Sequence, residues 1–216
     1  MASLPQAIEA AALWLAEREG VTLKTIGQVV TRYNDQLTNA VYDVWNGHSA
    51  AVDLRRAHKA MLKDFAPRVY EEGMREGGID EIDEEDQEAL DEAVGDWLGS
   101  QFDHVNQFAR DVDDAKKNKD GRPVILDRVS MWVDSLRSLG DLGRAYALKN
   151  EKGQWKFGAT EQHCETCLKL SKMKPHRVSW FVERGYIPRQ NGSDTLECGG
   201  WKCDCSIVNK RGDQLL

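Results

Sequence analysis

The sequence predicts a mainly α protein: a multi-helix body over residues 1–150, then a small Cys-rich module of short strands and turns over residues 151–216. Three observations predict it. Apolar residues recur at helical spacing along the first two thirds of the chain. That period disappears after Asn150, where Gly, aromatic residues and Cys take over. All five cysteines fall between positions 164 and 205, and none precedes them.

The body divides at its punctuating residues. Ser3 as an N-cap, with Leu4, Ile8, Ala11 and Leu15 on one stripe, predicts a helix over 3–19 that stops at Gly20. Ile26, Val29, Tyr33, Leu37, Val41 and Val44 predict a second helix over about 22–46, closed by Gly47. Ser49 is the expected cap of a third, about 50–76. There Pro67 removes a backbone hydrogen bond and predicts a kink or a break. After Gly77-Gly78, Asp83 with Asp86 opens an acidic helix over about 83–115 that carries Leu90, Val94, Trp97, Leu98, Phe102, Val105 and Phe108. Residues 116–123, KKNKDGRP, read as a turn or loop. Pro123 suits the first position of the next helix, which carries Val129, Trp132, Leu136, Leu139 and Leu142 to about 149.

Composition bounds the function. The chain has 216 residues, 41% of them hydrophobic, with seven Trp, which suffices for a core. The first residues lack a basic region and are interrupted by charges, so no signal peptide is expected. No run of about 18 apolar residues occurs, so no membrane-spanning helix is expected. A reducing cytoplasm is the expected compartment. Net charge is -7. Residues 79–114 hold fourteen acids against Arg110 alone, whereas from Lys152 onward eleven bases face seven acids. A uniform nucleic-acid binder should be basic overall, and this chain is not. Its basic tail suits a phosphate backbone, an acidic partner or plain solvation.

The chemistry sits in the cysteines. Cys164-Glu-Thr-Cys167 has the spacing that presents two sulfurs to one ion, at about 2.3 Å from zinc. The second half is Cys198-Gly-Gly-Trp-Lys-Cys203-Asp-Cys205, and the two glycines after Cys198 allow positive φ. The expected ligand set is Cys164, Cys167, Cys198, Cys203 and Cys205, one more thiol than a tetrahedral site holds. On an extended strand, Cys203 and Cys205 point to one face with Cα atoms roughly 6.6 Å apart. Sulfurs sharing one zinc lie under about 4 Å apart. Either that pair sits in a turn or one thiol is a bystander, so the fourth ligand is Cys203 or Cys205, with His163 as a weaker substitute.

A surplus of thiols favours a closed, structural Zn2+ site over a catalytic one, and such an ion would supply folding free energy to a segment with little core of its own. Two alternatives stay open. A disulfide framework needs an oxidising compartment, and an odd count leaves one thiol over. A thioredoxin-like dithiol wants a strand before it and a helix after it in a βαβ pattern, which the sequence does not show.

Other residues have bland readings beside sharper ones. Trp132, Trp155, Trp180 and Trp201 suit a core more than a partner surface. His48, His58, His104 and His176 have no metal spacing between them. Lys169, Lys172, Lys174 and Arg177 follow the CxxC closely and suit phosphate or partner contact, or solubility alone. The sequence holds no GxSxG, no phosphate loop, no HExxH and no HxE followed by PCxxC, so no enzyme is expected.

The tail resembles the phage Mu F-like head morphogenesis family, the minor head proteins of tailed phages. Trp155, the stretch from Thr160 through His163-Cys164-Glu165-Thr166-Cys167 to Leu170, Trp180, Gly185 and Cys198-Gly-Gly-Trp-Lys-Cys203-Asp-Cys205 carry the likeness. The family pattern is a CxxC, then a His or Cys some tens of residues later, then a CxC, and here Cys198 takes the place often held by His. Glu72-Gly73-Met74-Arg75-Glu76-Gly77-Gly78 resembles the Gly-containing helix end of these proteins. The resemblance implies a virion component, assembled in the host cytoplasm near the portal as part of a large symmetric assembly. It implies portal, major capsid or scaffold proteins as partners, with packaged DNA a further candidate. A second expectation, from the basic tail, is a zinc-dependent nucleic-acid-binding accessory or regulatory protein. A third is a thiol redox protein.

Overall fold

The computed structural model describes residues 25–118, 122–159, 162–189, 193–200 and 204–216. The helix expected over 3–19, and with it Ser3 and Gly20, lies outside the described residues, as do Trp201 and Cys203. The described chain is mainly helical with a small antiparallel sheet near its carboxyl end. Four long helices come first: α1 (Ile26–Asn46), α2 (Ala51–Glu76), α3 (Glu84–Asn118) and α4 (Arg122–Ala147). β1 (Lys152–Lys156), α5 (Glu165–Ser171), β2 (His176–Arg177), α6 (Val178–Val182) and β3 (Ser206–Val208) follow. No helix among the described residues is long and apolar enough to cross a membrane.

The helix ends follow their caps. Thr25 takes the Gln28 N–H on its hydroxyl at 3.2 Å and starts α1 later than the apolar stripe alone indicated. Gly47, at φ 81°, ends it. The third helix begins at Ala51, so Ala50 rather than Ser49 takes the cap position, and the Asp53 carboxylate accepts the Ala50 N–H at 3.2 Å. Asp83 and Asp86 accept each other's N–H groups at the head of α3, a reciprocal capping box. Pro67 does not break α2, which is continuous from Ala51 to Glu76. The proline loses one hydrogen bond, but Phe65, Ala66, Val69, Tyr70 and Met74 around it are all buried, and that burial outweighs the loss.

The described residues form two compact units whose limits fall inside the long helices: those within 1–65 and 96–131, and those within 66–95 and 132–216. In the first unit the core gathers Tyr33, Leu37, Leu62, Phe65, Val105, Phe108 and Val112. Within it His58 is fully buried, shares a 2.8 Å hydrogen bond with the Tyr33 hydroxyl and turns an edge to the Phe108 ring. Lys116 donates to the Val44 carbonyl at 2.7 Å, closing one orphan acceptor at the end of α1. Arg128 pairs with Asp111.

In the second unit α2 and α4 cross on glycine. A Cβ on Gly73 would stand 2.0 Å from the Gly140 carbonyl oxygen, and one on Gly143 would stand 2.1 Å from that of Tyr70. The tail belongs to this same unit. Its sheet has the order β2-β1-β3, with Gly153 opposite His176 and Trp155 opposite Ile207. Alternation along β1 buries Gly153 and Trp155 on one face. There Trp155, Leu170, Val178, Phe181, Leu196, Ile207, Leu215 and Leu216 make one cluster with Ala145 of α4. Backbone hydrogen bonds between Ile207 and Leu215-Leu216 seal its edge.

Candidate metal centre

Three segments of the tail bring sulfur together. The loop after β1 delivers Cys164 to the N-cap of α5, with φ -66° and ψ 160°. In that geometry its Sγ accepts the backbone N–H of Cys167 at 3.5 Å, and the two sulfurs stand 3.4 Å apart. Cys167 is in the first turn of α5 and is buried with Leu170, which fixes the helix on the module's core. The third sulfur comes from the turn at 193–200. Gly199 and Gly200 have φ of 60° and 74°, the left-handed backbone that the two glycines after Cys198 predicted.

Polar links tie that turn to α5. The Glu197 carboxylate accepts the Glu165 N–H at 2.8 Å, and the Thr166 hydroxyl accepts the Glu197 N–H at 3.4 Å. Ser193 and Thr195 both donate to the Gly185 carbonyl. Leu196, 2% exposed, anchors the turn in the core.

The result is a group in which the sulfurs of Cys164, Cys167 and Cys198 all lie within 4.8 Å of one another. Thiolates on one tetrahedral zinc are separated by about 3.8 Å for a bond of about 2.3 Å, so three vertices of such a site fit these residues with small adjustments. Burial pushes the Cys164 thiol up, but hydrogen bonds from the backbone and thiol groups of Cys167 and Cys198 outweigh it and hold the thiol below its ordinary value. The thiolate is the form that binds metal. None of the four described cysteines is in a disulfide.

Cys205 is 1% exposed, just before β3. Its sulfur lies 3.6 Å from His163 Nδ1, and these two with the Asp204 carboxylate form a second group of potential ligands within 4.8 Å of one another. The residues Cys164, Cys167, Cys198, Cys205 and His163 thus lie close together and are able to bind a metal ion. Cys203 lies outside the described residues. Asp204 was missed by the sequence reading. Its one signal was an acid set between two thiols in a CxC.

The sequence showed neither strand nor helix beside the CxxC, whereas the structure has β1 before it and α5 starting within it. The strands pair antiparallel, so the described residues hold no βαβ unit of thioredoxin type. Lys169, Lys172, Lys174 and Arg177 are all exposed, and Lys169 has a loose ion pair with Glu165 at 3.7 Å. Trp132 and Trp155 are core residues. Trp180 is half-buried between the His176 ring, stacked at 4.2 Å, and the Arg184 guanidinium at 4.5 Å.

Comparison of the chain with protein-family models, with curated proteins and with solved structures gives no match.

Proposed function

We propose that the chain is a minor head or portal-associated structural protein of a tailed phage, with a structural zinc ion that clamps its tail. The convergence of the Cys164, Cys167 and Cys198 sulfurs carries the zinc part of this reading. Three sulfurs from two segments some thirty residues apart favour a chelate over a reactive dithiol, and a fourth ligand such as Cys203 would close the site to substrate. The ion would hold α5 and the 193–200 turn together, adding to the hydrogen bonds that Glu197 and Thr166 make between them. The phage part rests on the likeness of the CxxC and CxC segments, together with a mainly helical body that offers long faces to neighbours in a ring.

The test is metal content by elemental analysis together with the mass of the purified assembly. Zinc retained through dialysis, lost in Cys198→Ser, and a high-order oligomer or salt-insensitive binding to portal or capsid protein would support the reading. A metal-free monomer would overturn it.

The exposure of Lys169, Lys172, Lys174 and Arg177 favours one other reading, a zinc-dependent nucleic-acid-binding accessory protein. A DNA affinity that falls steeply with salt, and falls again on neutralising those four residues, would replace the first reading by this one.

A further inference from the structure

We infer that His163, Asp204 and Cys205 form a second metal site, distinct from the thiolate group, that takes a divalent transition-metal ion on one nitrogen, one oxygen and one sulfur. The inference goes beyond the zinc clamp, since it uses none of Cys164, Cys167 and Cys198.

The first support is distance. A metal bound to sulfur at about 2.3 Å and to imidazole nitrogen at about 2.05 Å, with tetrahedral angles, separates the two ligand atoms by about 3.6 Å. Cys205 Sγ and His163 Nδ1 are 3.6 Å apart, and an Asp204 carboxylate oxygen joins them with all three atoms inside 4.8 Å. That interval suits a thiol hydrogen bond to the ring nitrogen in the metal-free protein, and it is also right for two ligands of one ion.

The second support is that each ligand is held. The His163 ring stacks on Phe157 at 4.1 Å and 14°, which fixes the plane in which Nδ1 points. Asp204 lies against Gly158 so closely that a Cβ there would stand 2.2 Å from both its carboxyl carbon and its backbone carbonyl oxygen. Glycine at 158 is the only residue that leaves this room. Cys205 is buried beside Ile207 of the module's core. Two consecutive residues before β3 and three positions in the loop after β1 therefore build the site, and none of its three ligands is among the three described sulfurs of the thiolate group.

The third support is chemistry. Nitrogen, carboxylate and a single thiolate suit zinc, cobalt or nickel, and three protein ligands leave a fourth position to water or to a donor from a partner. Phe157, stacked on His163, is 36% exposed, so the His163 side of the cluster borders solvent, while Cys205 is buried.

The experiment uses the full-length chain, stripped with chelator and titrated with Co2+, with metal per chain counted by elemental analysis. Wild type is expected to bind two ions in two spectral phases, an intense thiolate charge-transfer band and then a weaker one. The double variant His163→Ala/Asp204→Ala is expected to bind one ion and to keep the intense band, which also shows that the module is folded. Gly158→Ala is expected to weaken the second phase alone. One ion per chain in wild type, or an unchanged count in the double variant, overturns the second site and leaves the zinc clamp standing. Loss of the intense band in the double variant would place His163 in the thiolate site and overturns the inference as well. No ion in wild type sinks both readings.

Discussion

The Glu197 carboxylate accepts the backbone N–H of Glu165 at 2.8 Å, and so joins the residue before Cys198 to the residue after Cys164. That single link spans the two arms that carry the sulfurs, and it comes from outside the ligand set. Outer groups that orient ligands typically matter about 10–100-fold in metal affinity. Glu197→Ala is expected to weaken zinc binding by about that factor, read by competition with a chromophoric chelator, with the helical content unchanged. An unchanged affinity would show that the arms meet without this support.

The glycine crossing of α2 and α4 makes a sharp stability prediction. Gly73→Ala and Gly143→Ala each force a methyl group onto a backbone carbonyl, at 2.0 and 2.1 Å, and the backbone must shift. Each is expected to cost about 1–3 kcal/mol or more in denaturant unfolding. Gly95→Ala and Gly99→Ala on α3 meet nothing within 4 Å and are expected to be neutral or to stabilise by about 0.5–1 kcal/mol. Equal effects at the two pairs of positions would contradict the crossing.

The buried His58 sets a pH dependence. Burial lowers its pKa from the ordinary 6.5 to about 3. Between those values the unfolded chain binds a proton that the folded chain does not, so stability rises with pH there. The contribution is complete above pH 6.5 and is lost progressively as pH falls towards 3. His58→Phe is expected to flatten the unfolding curve over this window. At pH 7 it is expected to cost about 1–3 kcal/mol, because the Tyr33 hydroxyl loses its 2.8 Å partner. Parallel pH profiles for the two proteins would rule out this origin.

Chelation should act on the tail. Amide protection in β1, α5 and β3 is expected to drop when metal is removed, because thiolate binding and folding of that segment are one equilibrium. The Tyr33–His58 region has no ligand and is expected to keep its protection. Hydrogen exchange followed by mass spectrometry reads both.

The long helices were legible because their apolar residues repeat often enough to show a period. Val29, Tyr33, Leu37, Val41 and Val44 form the buried face of α1 as their spacing indicated. The exact start was not, since the Thr25 cap competes locally with the stripe. α5 and α6, of seven and five residues, are too short to show a period, and strands of five, two and three residues are too short to show alternation. The thiolate group was legible through clustering and through the glycines after Cys198. The approach of His163 to Cys205 spans 42 residues and depends on β1 pairing with β3, which no local pattern announces.

Zinc-edge X-ray absorption of the purified chain tests the central claim most directly. A shell dominated by sulfur at about 2.3 Å, which shrinks when Cys164 and Cys198 are both changed to Ser, is the predicted result. Protein that holds no zinc, or zinc surrounded by oxygen and nitrogen alone at about 2.0–2.1 Å, would contradict it.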